Sequence, residues 1–427
     1  MKKLTLTIIG LIVCSLAFSP SLVNAGGELR IGALYCFSGP LALEGRDSFR
    51  GVKIAADRVN EKGGLFGKKI VFVKGDASTP KAAMEEAERL ISVEKLDVII
   101  GGFSSSRTYA ATQVTEKHKK IFWVTTAIAD PITQRGFKYV FRVAARASQY
   151  GGNAVNFIEQ VCVPKLGIDK KKLRLACVFE DSLYGTTTGS FATKSALQRG
   201  MKVVLTESYS SKAVDLSDLV MRLKNAKPDV VFAVSYAPDG LLLWRTFKEL
   251  DFSPKVFIGG GAIYGMVVWG ETFGKEATYV FSSVESPNIN IEVLSPKAQA
   301  THKDVRRRYE KLYDARPTEI SYCGFLPAQV LFEDVLPRAG SLDPDAVRKA
   351  ALATDIAAND TVFGYGVKFA QPGHPDMGTD LEAQPWVEQW QMSPEGKPFT
   401  YVVWPEKMAV RKPMVPMPTW TERRKQK

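Results

Sequence analysis

Short, wholly apolar runs alternate along this chain with longer runs whose apolar residues recur every three or four positions. The short runs read as strands buried on both faces, the longer ones as amphipathic helices. Strands are predicted at 29–36, 69–74, 97–101 and Ile121–Val124, separated by helices from the low forties to Asn60, from Pro80 to about 93, and over 108–119. Pro80 falls in a first helical turn, where its missing N–H costs least. The pattern then begins again. A helix over 149–163 leads to strands 173–179, 202–208, 230–235 and Val256–Gly259, with helices 184–199, 216–225 and 240–250 between them. Strands alternating with helices imply an α/β fold, with parallel sheets covered on both faces.

Two such units in tandem are followed by helices 296–313, 320–336 and 343–353 and late strands near 362–369, 386–392 and 400–403. A chain that builds one lobe, builds a second and then returns leaves a cleft crossed by hinge strands, a favoured place for a small-molecule site. The expected division is lobe I over 26–144 and 285–383, and lobe II over 145–284 and 384–404. The tail 405–427, with Pro413, Pro416 and Pro418 among Met and basic residues, reads as an extended strap.

The first 25 residues change the picture by adding export. Lys2 and Lys3 precede an apolar run over 4–18, and Val23-Asn24-Ala25 supplies small residues for cleavage, the three parts of a secretory signal. A periplasmic location is therefore expected; an uncleaved anchor, or lipid attachment at Cys14, are the other readings of this segment. The formal charge of +12 is scattered along helix patterns, with no spacing of a nucleic-acid module, so no nucleic-acid partner is expected. Cys36, Cys162, Cys177 and Cys323 permit a bridge, of which Cys162–Cys177 is the leading pairing, or four buried thiols. His118, His302 and His374 lie far apart and no CxxC occurs, so neither a metal nor a cofactor is called for. No nucleophile elbow or HExxH motif supports an enzyme.

Ligands of doubly wound sheets sit beyond the carboxyl ends of the strands. Gly101-Gly102-Phe103-Ser104-Ser105-Ser106 follows a strand and opens a helix, offering hydroxyls and unpaired backbone N–H groups to an anion; serine N-capping is the plainer alternative. Thr125-Thr126-Ala127-Ile128-Ala129 follows the next strand. In the second lobe, Tyr184 and Tyr236 follow strands and face the same crevice or the core.

These landmarks resemble the periplasmic leucine/isoleucine/valine-binding protein family, type I solute-binding proteins of ABC transporters. The resemblance runs from about Leu29 to Val403. It is carried by Ile31-Gly32-Ala33 with Ser38-Gly39-Pro40, Val59-Asn60-Glu61-Lys62-Gly63-Gly64, Ile99-Ile100-Gly101-Gly102, Thr133-Gln134-Arg135-Gly136, Phe141-Arg142, Tyr184-Gly185, Asp215-Leu216-Ser217 and Pro228-Asp229. It implies two α/β lobes joined by three crossovers, closing on a ligand for a membrane permease and its ATPase. A ligand-sensing receptor module of the same fold is the second expectation.

The resemblance also assigns residues. Ser105, with Ser104 or Ser106 as alternatives, matches the position that holds a ligand carboxylate. Contacts of the next loop fall near Thr126, Ala127 and Ala129, and Tyr184 and Tyr236 match aromatics of the second lobe. The family's acid for a ligand ammonium should follow Ile258, but Gly261 is the best match there. A buried ammonium without its carboxylate costs several kcal/mol, against the roughly 8 kcal/mol behind micromolar binding. Either Glu44 or Asp239 substitutes, or the ligand is an organic acid without an ammonium, and an aromatic one suits walls built from Phe103, Tyr184, Tyr236 and Tyr264. A hydrophobic amino acid is the family default. Arg107 either adds charge for a carboxylate or points to solvent. Ser78 and Ser104 stand where the family's lobe-one disulfide would be.

Overall fold

The computed structural model describes residues 26–425; the signal segment and Cys14 lie outside the described residues. The first sheet contains β1 (Glu28–Tyr35), β2 (Lys69–Asp76), β3 (Val98–Gly101), β4 (Ile121–Val124) and β5 (Val140–Arg142), in the order β2-β1-β3-β4-β5. All of its pairings are parallel. β3 and β4 are buried at every position, as strands covered by helices on both faces must be.

The second sheet takes β6 (Arg174–Glu180), β7 (Lys202–Tyr209), β8 (Val230–Val234), β9 (Val256–Gly259) and β10 (Phe281–Val284). A small hairpin of β11 (Asp355–Ile356) and β12 (Val367–Lys368) follows, and β13 (Trp386–Met392) and β14 (Pro398–Trp404) then complete the second sheet. Its order is β14-β13-β10-β9-β8-β6-β7, parallel from β7 through β10 and antiparallel at β13 and β14. β1 lies between β2 and β3, and β6 between β7 and β8. Each sheet thus has a switch point where connections leave to opposite sides and a crevice opens beyond the strand ends.

The chain crosses between the lobes three times: after β5, after β10 and before β13. The second crossing returns it to the first lobe, where the helix Glu319–Gln329 packs on the helix Ala42–Asn60. A Cβ at Gly51 would stand 1.8 Å from the Ser321 carbonyl oxygen, and one at Gly324 would stand 1.9 Å from that of Ser48. Bare glycines therefore let these helices meet backbone to backbone. Thr318 starts the second helix, its Oγ1 accepting from the N–H groups of Ile320 and Ser321 at 3.0 and 3.3 Å.

Several expectations change. The strand over 362–369 shrinks to β12, because Thr361 donates to the Tyr365 carbonyl at 2.6 Å and Gly364 takes a φ of +86°, closing a turn. The tail is not extended throughout. It ends in the helix Trp420–Lys425, anchored by the buried Trp420 indole donating to the Phe252 carbonyl at 2.9 Å. The four cysteines among the described residues are buried free thiols, so the Cys162–Cys177 bridge is absent. Both sit in apolar core, and burial raises the Cys177 thiol to about 12.

Candidate functional site

Beyond the carboxyl ends of β3 and β4 the lobes enclose a cavity of about 50 Å³. Ser105, Thr126, Phe103 and Ile128 line it from the first lobe, and Tyr184, Tyr236, Gly260 and Ala262 from the second. Tyr150, Val284, Glu319, Ile320 and Cys323 close it on the hinge side.

The first wall follows from the end of β3. Gly102 has a φ of +92°, which favours glycine, and turns the chain so that the helix Ser105–Lys117 begins at the cleft. Ser104 occupies the N-cap position, yet its side chain makes no capping hydrogen bond. Its carbonyl accepts from the Thr108 N–H and hydroxyl at 2.9 and 2.8 Å. Ser105 Oγ accepts from the Ala129 N–H at 3.2 Å, which leaves its own proton to donate into the cavity. Thr126 Oγ1 donates to the Gly102 carbonyl at 3.1 Å. Hydroxyls and the positive end of a helix thus line this wall, where a carboxylate is stabilised by the dipole to about 0.3–2 kcal/mol.

The opposite wall is aromatic. Tyr184 donates to the Gly260 carbonyl at 2.8 Å and packs on Tyr236, with ring centroids 5.0 Å apart. Tyr236 also meets Phe103 across the cleft at 5.8 Å. Ser106 faces the other lobe instead of the cavity, its Oγ accepting from the Leu183 N–H at 3.2 Å.

Ser105, Thr126, Tyr184 and Tyr236 therefore come together around one space, whereas Ser104, Ser106, Ala127, Gly261 and Glu44 do not line it. Ala127 is packed into the first lobe's core. Gly261 takes a φ of +92°, and a Cβ there would press on the Tyr150 ring at 3.0 Å. Glu44 is buried with both carboxyl oxygens unpartnered, and burial raises it to about 6. Asp239, raised by burial to about 7, accepts from the Tyr209 hydroxyl at 2.8 Å and also stays outside the lining. Tyr264 lies beneath the wall, 2.6 Å from the Ser235 hydroxyl. Arg107 turns back into the first lobe, donating to Cys36 Sγ at 2.8 Å and the Ala77 carbonyl at 3.0 Å.

The acid in the lining is Glu319, which sequence reasoning missed. It is buried, and its Oε1 has no hydrogen-bond partner among the described residues. Burial and the neighbouring Glu388 raise its carboxyl far above the ordinary range. Its one sequence signal is the Thr318 cap after Pro317, which marks a helix start but not the cleft. Glu285, on the same side, is saturated: it accepts from Tyr150 at 3.1 Å, from Ala145 N–H at 3.3 Å and from Tyr365.

The family model described as periplasmic binding protein matches residues 28–381. A curated relative, Leu/Ile/Val-binding protein homolog 7 of Brucella abortus (strain 2308), is 34% identical over 394 residues, 92% of this chain and 95% of the relative. Among solved structures, the solute-binding protein of an ABC transporter from Rhodopseudomonas palustris BisB5, in complex with 3,4-dihydroxybenzoic acid, superposes with a TM-score of 0.72. It is 20% identical, and the match covers 90% of this chain and 99% of that one. The branched-chain amino acid transporter substrate binding protein LivJ of Streptococcus pneumoniae, in complex with isoleucine, superposes at 0.68 with 18% identity, covering 88% and 100%.

Proposed function

We propose that this chain, which belongs to the periplasmic binding protein family, captures a small carboxylate-bearing solute outside the cytoplasmic membrane for a branched-chain-amino-acid-type ABC importer. The observation that carries this reading is the cavity, where the Ser105 hydroxyl and a helix N-terminus on one lobe face the Tyr184 and Tyr236 rings of the other. A solute held at both walls stabilises the closed arrangement over the open one by its differential affinity. The closed form is what a permease and its ATPase would receive.

The walls suit a compact ligand with one anionic end and a flat or branched apolar body. Gly261 in place of an acid favours an organic or aromatic acid, and the benzoate-type ligand of one structural neighbour fits that class. A hydrophobic amino acid is the second reading, favoured by the unpartnered carboxyl oxygen of Glu319 in the lining. The test is a thermal-shift screen of amino acids, aromatic acids, dicarboxylates and neutral amides, since a ligand raises the melting point by mass action. At least one monocarboxylate should raise it by several degrees, and Ser105→Ala should weaken that ligand at least several-fold. A panel without any response, or an unchanged affinity in the variant, contradicts the reading.

A further inference from the structure

We infer that a basic, aromatic-walled groove on the first lobe docks an extended acidic segment of a partner protein. The groove encloses about 670 Å³ and shares no residue with the cavity between the lobes. It lies between the helix Ala42–Asn60 and β2, the edge strand of the first sheet, and Tyr313 closes it from the end of the helix Pro296–Tyr313. Every lining residue belongs to the first lobe, so the groove is complete whether the lobes are open or closed.

Five cations and two acids line it, and both acids are already engaged. Asp76 accepts from the Phe37 and Ser38 N–H groups at 2.8 and 3.1 Å, and Glu86 pairs with Arg89 at 2.8 Å. Lys53 is matched by Asp57 at 2.7 Å, and Arg50 stands 3.8 Å from Asp47. Arg46 and Lys74, both exposed, form no ion pair among the described residues. The protein nevertheless holds them in place. Arg46 donates through Nε and Nη2 to the Phe37 carbonyl at 3.0 and 2.8 Å. The Lys74 ammonium stands 5.2 Å from the ring centres of both Phe37 and Phe49, which attract it without neutralising it.

The spacing of the cations suits an extended chain. Arg46, Arg50 and Lys53 share one helix face, since residues three and four apart are neighbours there. Arg46 and Arg50 are separated by about 6 Å along the axis. Side chains on one side of an extended segment recur at about 6.6 Å. Carboxylates at alternate positions of such a segment therefore meet successive cations, and the half-buried rings of Phe37 and Tyr313 receive its apolar atoms. A small anion is served less well, because the helix cations are spread over about 10 Å and share no focus. An anionic membrane is flat and meets protruding cations, whereas these line a recess between a helix and a strand.

The experiment follows a fluorescein-labelled peptide alternating glutamate with leucine, and its glutamine counterpart, by fluorescence anisotropy against the purified protein. The glutamate peptide should bind at least about 10-fold tighter than the glutamine one at low salt and lose that advantage at high salt. Arg46→Glu combined with Lys74→Glu should weaken it at least about 10-fold, with the melting point and the thermal shift given by a cleft ligand both retained. Arg46→Gln with Lys74→Gln should weaken it in the same direction, and serves if charge reversal lowers the melting point. Equal binding of the two peptides, or unchanged binding in both variants, would overturn the inference and leave capture in the cleft standing. Binding of inorganic phosphate or of phosphatidylglycerol vesicles in place of the peptide would overturn it as well. A cleft that answers to no carboxylate, beside a groove that binds the glutamate peptide, would remove the capture reading alone.

Discussion

Two buried acids on the hinge side of the cleft meet opposite circumstances. Glu285 is ringed by donors from both lobes: the Tyr150 hydroxyl, the Ala145 N–H, the Tyr365 hydroxyl and, at 3.8 Å, the Cys323 thiol. Glu319, on the same side of the cavity, keeps an oxygen without any donor and lies beside another acid, Glu388. Desolvation is the largest influence on both carboxyls, but only Glu285 has its donors within the protein. Compensated burial fixes structure, whereas an uncompensated carboxyl in the wall of a cavity leaves an acceptor open to a donor that enters it. Glu285 therefore reads as a clasp of the hinge, and Glu319 as part of the cavity wall.

Removing each acid should separate the two roles. Glu285→Ala strips the acceptor from several buried donors and should destabilise the protein by about 3–5 kcal/mol, measured by urea unfolding. Glu319→Gln should leave stability unchanged or raise it. Equal losses in the two variants would erase the distinction between them.

The placement of Glu319 depends on the glycine crossing, which offers the next test. Gly51→Ala would ordinarily favour a helix by about 1 kcal/mol. Here the methyl meets the Ser321 carbonyl, so the expected outcome is a loss of about 2–3 kcal/mol from overpacking, with weaker ligand binding. A stabilised variant would show that the helices do not depend on this contact.

The protonation of Glu388 gives an effect with a definite sign. Burial raises the Glu388 carboxyl from 4.5 to about 8. Between those values the folded, ligand-free protein retains a proton that the unfolded chain releases. The associated stability is therefore complete below about pH 4.5 and lost as pH rises through about 8. Glu388→Gln should flatten this decline, read as melting points of parent and variant across that window. A variant with an unaltered slope would mean that Glu388 ionises freely. The smallest effect is expected at Ser106, whose Oγ ties the first lobe to Leu183 of the second. Ser106→Ala should cost about 0.5–1 kcal/mol of the closed form and weaken any cleft ligand a few-fold, by calorimetry.

Legibility in the sequence follows the same division between local and distant contacts. β3, β4, β8 and β9 were visible as unbroken apolar runs, and Ser105, Thr126, Tyr184 and Tyr236 could be placed near the cleft because each closely follows a strand end. β10 escaped because its buried core is Phe281-Ser282-Ser283-Val284, and β5 because three residues ending in Arg142 make no pattern. Arg142 is nonetheless wholly buried, donating to the Ile128 and Ala129 carbonyls at 3.1 and 2.8 Å and so fixing the second cleft loop. Glu319 was illegible for a different reason. Its approach to the cavity depends on the chain's return across the hinge and on Gly51 meeting Ser321, contacts that local periodicity does not encode.

The most direct measurement compares, by calorimetric titration, the strongest-binding acid from the screen with its own methyl ester, using the parent protein and Ser105→Ala. The account predicts that the ester binds the parent at least about 100-fold more weakly and that the variant narrows this gap. An ester bound as tightly as the acid would mean that no carboxylate is held at the Ser105 helix, and would contradict the central claim.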